Sequence, residues 1–182
     1  MSAPLVLVMV GTDHHPFDRL VDWADEVAVR HPDLHVLVQY GASRAPAVAE
    51  GIAFLRHEEL TALLGRAGAV LCHGGPGTIM DARDAGHVPL CVPRDPARGE
   101  HVDGHQQRFV SLVASTGVVR AITTTDQLAV ELGEVLQAPA RPSRRVFAVD
   151  PVTALARERL AVELDELVLV RPGRLLRRRA LS

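Results

Sequence analysis

A glycine-rich turn between an apolar strand and a helix is the part of this sequence best suited to bind an anion. Val70-Leu71-Cys72 leads into His73-Gly74-Gly75-Pro76-Gly77-Thr78, and a helix carrying Asp81 is predicted to follow. Glycines let the backbone approach a bulky anion, and the free N–H groups and positive end of the helix dipole face its charge. The pattern predicts a site for a phosphorylated ligand.

A second polar cluster, Asp103-Gly104-His105-Gln106, follows the next predicted strand. Because ligands bind beyond the carboxyl ends of parallel strands, we expect this cluster, the Gly11-Thr12 turn and the glycine-rich turn to border one crevice. His105 and Gln106 offer mixed hydrogen-bond donors and acceptors, which suit the hydroxyl groups of a sugar. The carboxylate of Asp81, on the helix after the turn, suits the hydroxyls of a ribose.

Strand and helix patterns alternate along residues 5–138, which predicts an α/β fold. The apolar run at 5–10 is typical of a strand buried on both faces, whereas 17–30 has apolar residues at helical spacing. Further strands are predicted at 34–38, 52–55, 69–72, 88–92 and 118–122, and further helices at 58–66, 78–85, 106–115 and 126–136. This order predicts a Rossmann-like open parallel sheet with helices on both faces and right-handed crossovers.

Length and composition favour one soluble domain. The chain has 182 residues, is 47% hydrophobic and carries a formal net charge of -2, which suits a single core. We expect a ligand-binding domain at 1–138. Residues 139–182 are expected to form a linker and a helical basic tail, whose arginines indicate a solvated end or a docking arm for a partner or anionic lipid.

The cysteines and the amino terminus favour the cytoplasm. Cys72 and Cys91 each lie in an apolar run, so we expect reduced, buried thiols rather than a disulfide. Met1-Ser2-Ala3-Pro4 lacks a basic region, and the apolar run after it is too short for a signal peptide or membrane span. We expect no nucleic-acid partner.

Taken together, these motifs resemble the donor-binding half of GT-B glycosyltransferases of family 28. The resemblance covers about residues 5–138, and its motifs occur in the family's order. They are Gly11-Thr12, Pro16-Phe17-Asp18-Arg19-Leu20, Val38-Gln39-Tyr40-Gly41, Phe54-Leu55, the glycine-rich turn with Asp81, Pro93, and Asp103 with His105 and Gln106. The chain is most similar to stand-alone donor subunits that pair with a membrane-anchored partner, as in the dolichol-pathway N-acetylglucosaminyltransferase and bacterial exopolysaccharide relatives.

The resemblance implies a role for each matched position. Phe54 and Leu55 fall where the family's backbone recognises uracil, Gly75 to Thr78 where it holds the diphosphate, and Asp81 where an acidic side chain, often Glu in the family, accepts from the ribose. His105 and Gln106 fall where polar side chains contact the sugar. The implied substrate-binding set is Gly11, Thr12, Phe54, Leu55, His73, Gly74, Gly75, Pro76, Gly77, Thr78, Asp81, Asp103, His105 and Gln106.

His14 and His73 are the candidate catalytic residues. His14, in the loop after Gly11-Thr12, is a candidate general base, although loop histidines are more often solvated. His73 either contacts phosphate or sugar, or caps its helix or satisfies a polar group of the core. Arg94 and Arg98 face either the phosphates of a donor or solvent.

We expect neither a metal nor a cofactor. The spacing of His101, Asp103 and His105 suits zinc, but the sequence offers no third-ligand motif and no paired cysteines beside them. Backbone dipoles at the glycine-rich turn can stabilise the leaving diphosphate without a metal.

Two other classes of protein are excluded, the first by the order of its motifs and the second by the absence of its glycine motif. In α/β-hydrolases the glycine segment precedes the nucleophilic serine, whereas here Gly41-Ala42-Ser43 comes before His73-Gly74-Gly75. The first strand is followed by Gly11-Thr12-Asp13 and not by the G-x-G-x-x-G of dinucleotide-binding proteins.

The sequence therefore predicts the donor-binding subunit of an inverting UDP-sugar hexosyltransferase with a lipid-linked or glycan acceptor. We expect it to act at the cytoplasmic face of the membrane, and to need a membrane-anchored, acceptor-binding partner through which it associates peripherally with the bilayer. The alternatives are a UDP-sugar 2-epimerase-like enzyme and a non-catalytic nucleotide-sugar-binding module.

Overall fold

Six strands form one sheet in the computed structural model, which describes residues 3–137. The strands are β1 (Leu5–Met9), β2 (His35–Gln39), β3 (Glu50–Ile52), β4 (Ala67–Cys72), β5 (Leu90–Cys91) and β6 (Arg120–Ala121). The helices are α1 (Asp18–Arg30), α2 (His57–Arg66), α3 (Pro76–Asp84), α4 (His105–Ala114) and α5 (Thr125–Gln137), with a 3-10 turn at Pro96–Arg98. The predicted alternation of strands and helices is confirmed.

The order of the strands places a crevice beside β1. The sheet runs β3-β2-β1-β4-β5-β6, and every neighbouring pair is parallel. Successive strands are added on one side of β1 and then on the other, so the order reverses between β1 and β4, where such sheets bind ligands. Met9 at the end of β1 pairs with Gln39 of β2 and with Cys72 of β4. The loops that leave these three strands therefore start side by side.

Helices cover both faces of the sheet, as the sequence predicts. Side chains alternate along β1 because successive residues of a strand point to opposite faces. Val6 and Val8 pack in one core with α1 and α5, and Leu5 and Leu7 pack in the other with α2, α3 and α4. This double burial accounts for the continuous apolar run of β1.

The third strand differs from its prediction. The sequence placed it at 52–55, whereas β3 ends at Ile52. The carbonyl of Ala53 accepts hydrogen bonds from the Gly41 N–H at 2.9 Å and from the Gln39 Nε2 at 3.0 Å. These bonds engage the Ala53 carbonyl outside the sheet ladder, so Phe54 and Leu55 lie in a loop at the end of β2 and β3. The predicted strands at 88–92 and 118–122 are present, but each pairs over only two residues.

The cysteines are buried as predicted. Cys72 and Cys91 pair across β4 and β5 as free thiols, with their Sγ atoms 3.6 Å apart. The predicted linker and basic tail at 139–182 lie outside the described residues. Within residues 3–137, no helix has the length and apolar character needed to span a bilayer.

Candidate functional site

A cavity of about 500 Å³ opens where the sheet order reverses, between the loops that follow β1 and β4. Its size lies in the range usual for small-molecule sites. Ten of the residues predicted from the sequence line it: Gly11, Thr12, Phe54, Leu55, His73, Gly75, Pro76, Gly77, Thr78 and Asp81. The fold thus gathers residues from three separate loops around one space, as expected from the ends of neighbouring parallel strands.

The imidazole of His73 is packed between the two glycine turns. A Cβ atom added to Gly11 would lie 2.7 Å from His73 Cε1, and one added to Gly75 would lie 2.2 Å from His73 Nε2. Both distances are shorter than any tolerated contact, so the ring requires glycine on either side. Gly11 also has φ +89°, which disfavours any side chain. His73 therefore fixes the separation of the β1 and β4 loops.

His73 is a buried, neutral group with one unused nitrogen. Its side chain is 9% exposed and contributes to the cavity lining. Burial, together with the nearby charge of Arg94, lowers the pKa of His73 to about 4. Within the described part of the chain, its buried Nδ1 has no hydrogen-bond partner. A buried nitrogen left unpaired is costly, and pairing it with a ligand would remove that cost.

The amino end of α3 presents backbone amides that no helical carbonyl engages. The Ile79 N–H donates to the Gly75 carbonyl at 3.0 Å and closes the first helical turn. The N–H groups of Gly77 and Thr78 precede this bond and so lack intrahelical acceptors. Both residues line the cavity, as does Asp81, which lies four residues after Gly77 on the same helix face. Amide donors and a carboxylate are thereby set one turn apart.

Gly74 has a structural role away from the cavity. Its φ is +83°, and an added Cβ would lie 2.4 Å from Val110 Cγ2 of α4. The residue turns the chain at the end of β4 and lets the glycine-rich loop lie directly against α4. It does not contribute to the cavity lining.

The sequence left open whether Arg94 faces the phosphates of a donor or solvent. In the structure this arginine is buried and holds together the loops that border the site. Arg94 is fully buried and donates to the carbonyls of Val10 at 2.8 Å, His15 at 2.6 Å and Glu100 at 3.0 Å. Its guanidinium also lies 4.9 Å from the centre of the Phe17 ring. The arginine therefore ties the loop after β1 to the loop after β5.

The side chain of Glu100 joins the loop after β5 to α1. It accepts two hydrogen bonds from Arg19, at 2.8 and 2.7 Å, and one from the Asp95 N–H at 2.7 Å. A bidentate pair of this kind has fixed geometry. The loop at 96–102 is consequently anchored to α1.

Gln39 lines the cavity, although it was not predicted from the sequence as a site residue. It is buried and joins the Gly11 and Ala53 carbonyls through Nε2, at 3.4 and 3.0 Å. The available signal was an amide at the end of the apolar strand Val36-Leu37-Val38.

The predicted sugar-binding cluster lies beside the cavity and not in its lining. Asp103 precedes α4, and His105 and Gln106 form its first turn. The Asp103 carboxylate accepts from the His105 N–H at 3.0 Å, and the Gln106 Oε1 is buried without a partner among the described residues. His14 is likewise outside the lining, with a side chain 86% exposed.

The loop after β1 connects this cluster to the cavity. Asp13 lines the cavity and contacts the ring of His15, whose centre lies 5.5 Å from that of His101. His101 in turn lies 4.7 Å from His105, again between ring centres. Partial burial raises the pKa of Asp13, but hydrogen bonds from the His15 N–H and ring outweigh it and lower the pKa to about 2. Asp13 is therefore ionised at neutral pH.

The fold is that of solved glycosyltransferases. The chain is similar to the kitacinnamycin glycotransferase (21% identity, TM-score 0.58, 92% of this chain and 43% of that one). It is also similar to CalG4, the calicheamicin glycosyltransferase (19%, 0.54, 94% and 44%), and to SnogD from Streptomyces nogalater (21%, 0.53, 87% and 43%). The chain spans less than half the length of these proteins. At such identities the likeness establishes the fold, the Rossmann-like half of a GT-B glycosyltransferase.

Sequence comparison identifies the family. The model of the glycosyltransferase family 28 C-terminal domain matches residues 5–157. The chain therefore belongs to this family, and the resemblance inferred from its motifs is confirmed. No curated protein matches the sequence.

Replacing Gly75 by alanine should disturb the contact with His73. The added methyl would overlap the imidazole, so we expect Gly75→Ala to lower the free energy of unfolding by roughly 1–3 kcal/mol, as overpacking typically does. Urea denaturation measures the change. Adding His73→Ala to Gly75→Ala should cost less than the sum of the two single changes.

Gly77→Ala is the matched control for this substitution. An added Cβ at Gly77 meets no atom within 4 Å, so its stability should stay the same or rise by up to about 1 kcal/mol. Equal losses for Gly75→Ala and Gly77→Ala would contradict the packing described for His73.

Protonation of His73 should destabilise the fold in acid. Its pKa is about 4 in the folded chain and 6.5 as an unperturbed group, so the unfolded chain binds more protons between these values. Stability should therefore fall as the pH drops from about 6.5 to about 4, by up to roughly 3 kcal/mol. Denaturant unfolding across this range is expected to give a shallower pH slope for His73→Gln than for the unchanged chain. Identical slopes would show that His73 is not held neutral by burial.

Proposed function

We propose that the chain binds a UDP-sugar in the cavity between β1 and β4 and is the donor-binding half of an inverting hexosyltransferase. The observation that carries this proposal is the set of unpaired groups that converge there. Free amides of α3, the unpartnered His73 nitrogen and the Asp81 carboxylate border one space. Membership of a glycosyltransferase family supports sugar transfer as the reaction.

The diphosphate is proposed to lie over the start of α3. The N–H groups of Gly77 and Thr78 and the helix dipole supply positive potential for the phosphates. When the bond from sugar to phosphate breaks, negative charge grows on the UDP leaving group, and fixed dipoles stabilise it without rearranging. We propose that no metal ion is needed at the diphosphate itself.

The uridine is proposed to occupy the side of the cavity nearest β2. Asp81 would accept from the ribose hydroxyls, and the backbone of Phe54 and Leu55 would pair with uracil. Phe54 is 58% exposed at this position. An aromatic side chain left in water at a cavity edge suits contact with a flat base.

The sugar and the acceptor are proposed to meet near the loop after β1. Asp103, His105 and Gln106 lie on this side, where the buried Gln106 oxygen offers an unused acceptor. His14 is our candidate general base because its exposed ring can reach an incoming hydroxyl group. The unpartnered nitrogen and low pKa of His73 favour a hydrogen bond to the donor over proton abstraction.

We propose that a second protein supplies the acceptor site. A GT-B active site lies between two Rossmann-like halves, and the described residues form one of them. The proposed partner is membrane-anchored and presents a lipid-linked or glycan acceptor at the cytoplasmic face of the membrane.

Removal of the Asp81 carboxylate should weaken nucleotide binding. A hydrogen bond to a charged group contributes about 1.5–3 kcal/mol, so we expect Asp81→Ala to bind UDP roughly 10- to 100-fold more weakly. Isothermal titration calorimetry with UDP measures the change. Added Mg²⁺ should leave the affinity of the unchanged chain as it is.

Asp84→Ala is the charge-matched control. Asp84 is exposed on the same helix and does not line the cavity. Because salt screens the charge of an exposed carboxylate, its removal should leave UDP affinity within about twofold. The same loss for both variants, or for neither, would contradict a ribose contact at Asp81.

The products formed from UDP-sugars should identify the reaction. We expect the purified chain alone to transfer little, and to release UDP with a new glycoside once membranes from the source cells are added. Chromatography and mass spectrometry of both products measure this. An altered free sugar nucleotide would indicate epimerisation, binding without turnover would indicate a non-catalytic module, and strong transfer by the chain alone would remove the need for a partner.

A further inference from the structure

Four histidines and two aspartates gather where the loop after β1 meets the start of α4. Each half of the group, Asp13-His14-His15 and His101-Asp103-His105, has potential ligand atoms within 4.8 Å of one another. The two halves are 88 residues apart in sequence, counted from Asp13 to His101, and the rings of His15 and His101 contact each other. The fold thus brings His15 beside His101, which contacts His105, so His15 is a candidate for the third ligand that the sequence alone did not reveal.

Two of the ring-to-ring spacings are close to those of imidazoles bound to one tetrahedral ion. With zinc to nitrogen distances of about 2.0–2.1 Å, the centres of two imidazoles on the same ion lie roughly 5 Å apart. The ring centres are separated by 5.5 Å from His15 to His101 and by 4.7 Å from His101 to His105. The ligand atoms of His15 and those of His101 and His105 fall in two neighbouring groups, so binding one ion requires side-chain rotation to bring the two groups together.

Two of the imidazoles have the carboxylate partner that metal-bound histidines usually have. The Asp13 carboxylate lies 2.6 Å from Nδ1 of His15, and that of Asp103 contacts Nδ1 of His105. With Nδ1 protonated towards the carboxylate, Nε2 is left as a free lone-pair donor. The Nδ1 of His101 accepts a long hydrogen bond of 3.5 Å from the Asp103 N–H and lies 3.9 Å from the Asp103 carboxylate, so we expect its Nε2 to coordinate.

We propose that His15, His101 and His105 bind one Zn²⁺ ion, with Asp13 and Asp103 orienting two of the imidazoles. Neutral nitrogen ligands and partial burial favour zinc over Mg²⁺, which prefers oxygen. The ion joins the loop after β1, whose Asp13 lines the cavity, to the first turn of α4. This proposal revises the expectation from sequence that the chain binds no metal. The amides of α3 remain the proposed diphosphate site.

Zinc binding by the full chain tests the proposal without any donor sugar. Metal-free, untagged protein is titrated with ZnCl₂ by calorimetry, and CoCl₂ is used as a spectroscopic probe. We expect one ion per chain and the visible absorption of tetrahedral Co²⁺. Asp103→Asn should weaken zinc binding roughly 10- to 100-fold, as loss of an outer carboxylate does, and His101→Ala should weaken it further.

His57→Ala is the control, because His57 is exposed at the start of α2 and outside the cluster. It should bind zinc as the unchanged chain does, and circular dichroism should show that every variant is folded. The proposal is overturned if the unchanged chain binds zinc no more tightly than a variant lacking His15, His101 and His105. It is also overturned if His101→Ala and Asp103→Asn both retain full affinity. Since no nucleotide is present, failure of the proposed UDP site leaves this result unaffected.

Discussion

The packing of one imidazole between two backbone turns is the constraint on which the site depends. His73 ends a buried strand and extends its ring between Gly11 and Gly75, where neither position has room for a methyl group. The ring holds apart the loops that leave β1 and β4, at the point where the sheet order reverses. Because it is buried, it stays neutral and does not add positive charge to an anion site. The width of the cavity depends on this side chain, and the neutrality of the ring keeps one positive charge out of the lining.

A second layer of charged residues keeps the loops around that ring in place. Arg94 is wholly buried, yet its two terminal nitrogens donate to backbone carbonyls from two loops, and Glu100 is held by Arg19 from α1. Burying a charge is costly unless it is hydrogen-bonded, so a brace of this kind has one well-defined geometry. Such rigidity matters because fixed dipoles stabilise developing charge only if they need not reorganise.

The sequence predicted those parts of the structure that have a local physical cause. Apolar runs and helical spacing gave the order of elements, and the strand–glycine–helix pattern gave the cavity lining around Gly75 and Asp81. Contacts between residues that are far apart in the sequence could not be predicted from it. Nothing local indicates that Arg94 donates to carbonyls of a loop some 80 residues earlier, or that His15 lies beside His101. The end of β3 was missed because side-chain and turn bonds from Gln39 and Gly41, not propensity, turn the chain at Ala53.

The central claim is that main-chain amides at the start of α3, beside His73, hold the diphosphate of a uridine nucleotide. A crystal structure of the chain soaked with UDP tests it most directly. The account predicts phosphate oxygens within hydrogen-bond distance of the Gly77 or Thr78 N–H and the ribose hydroxyls against Asp81. A nucleotide bound on another face of the sheet, or a cavity filled by side chains in the crystal, would contradict it.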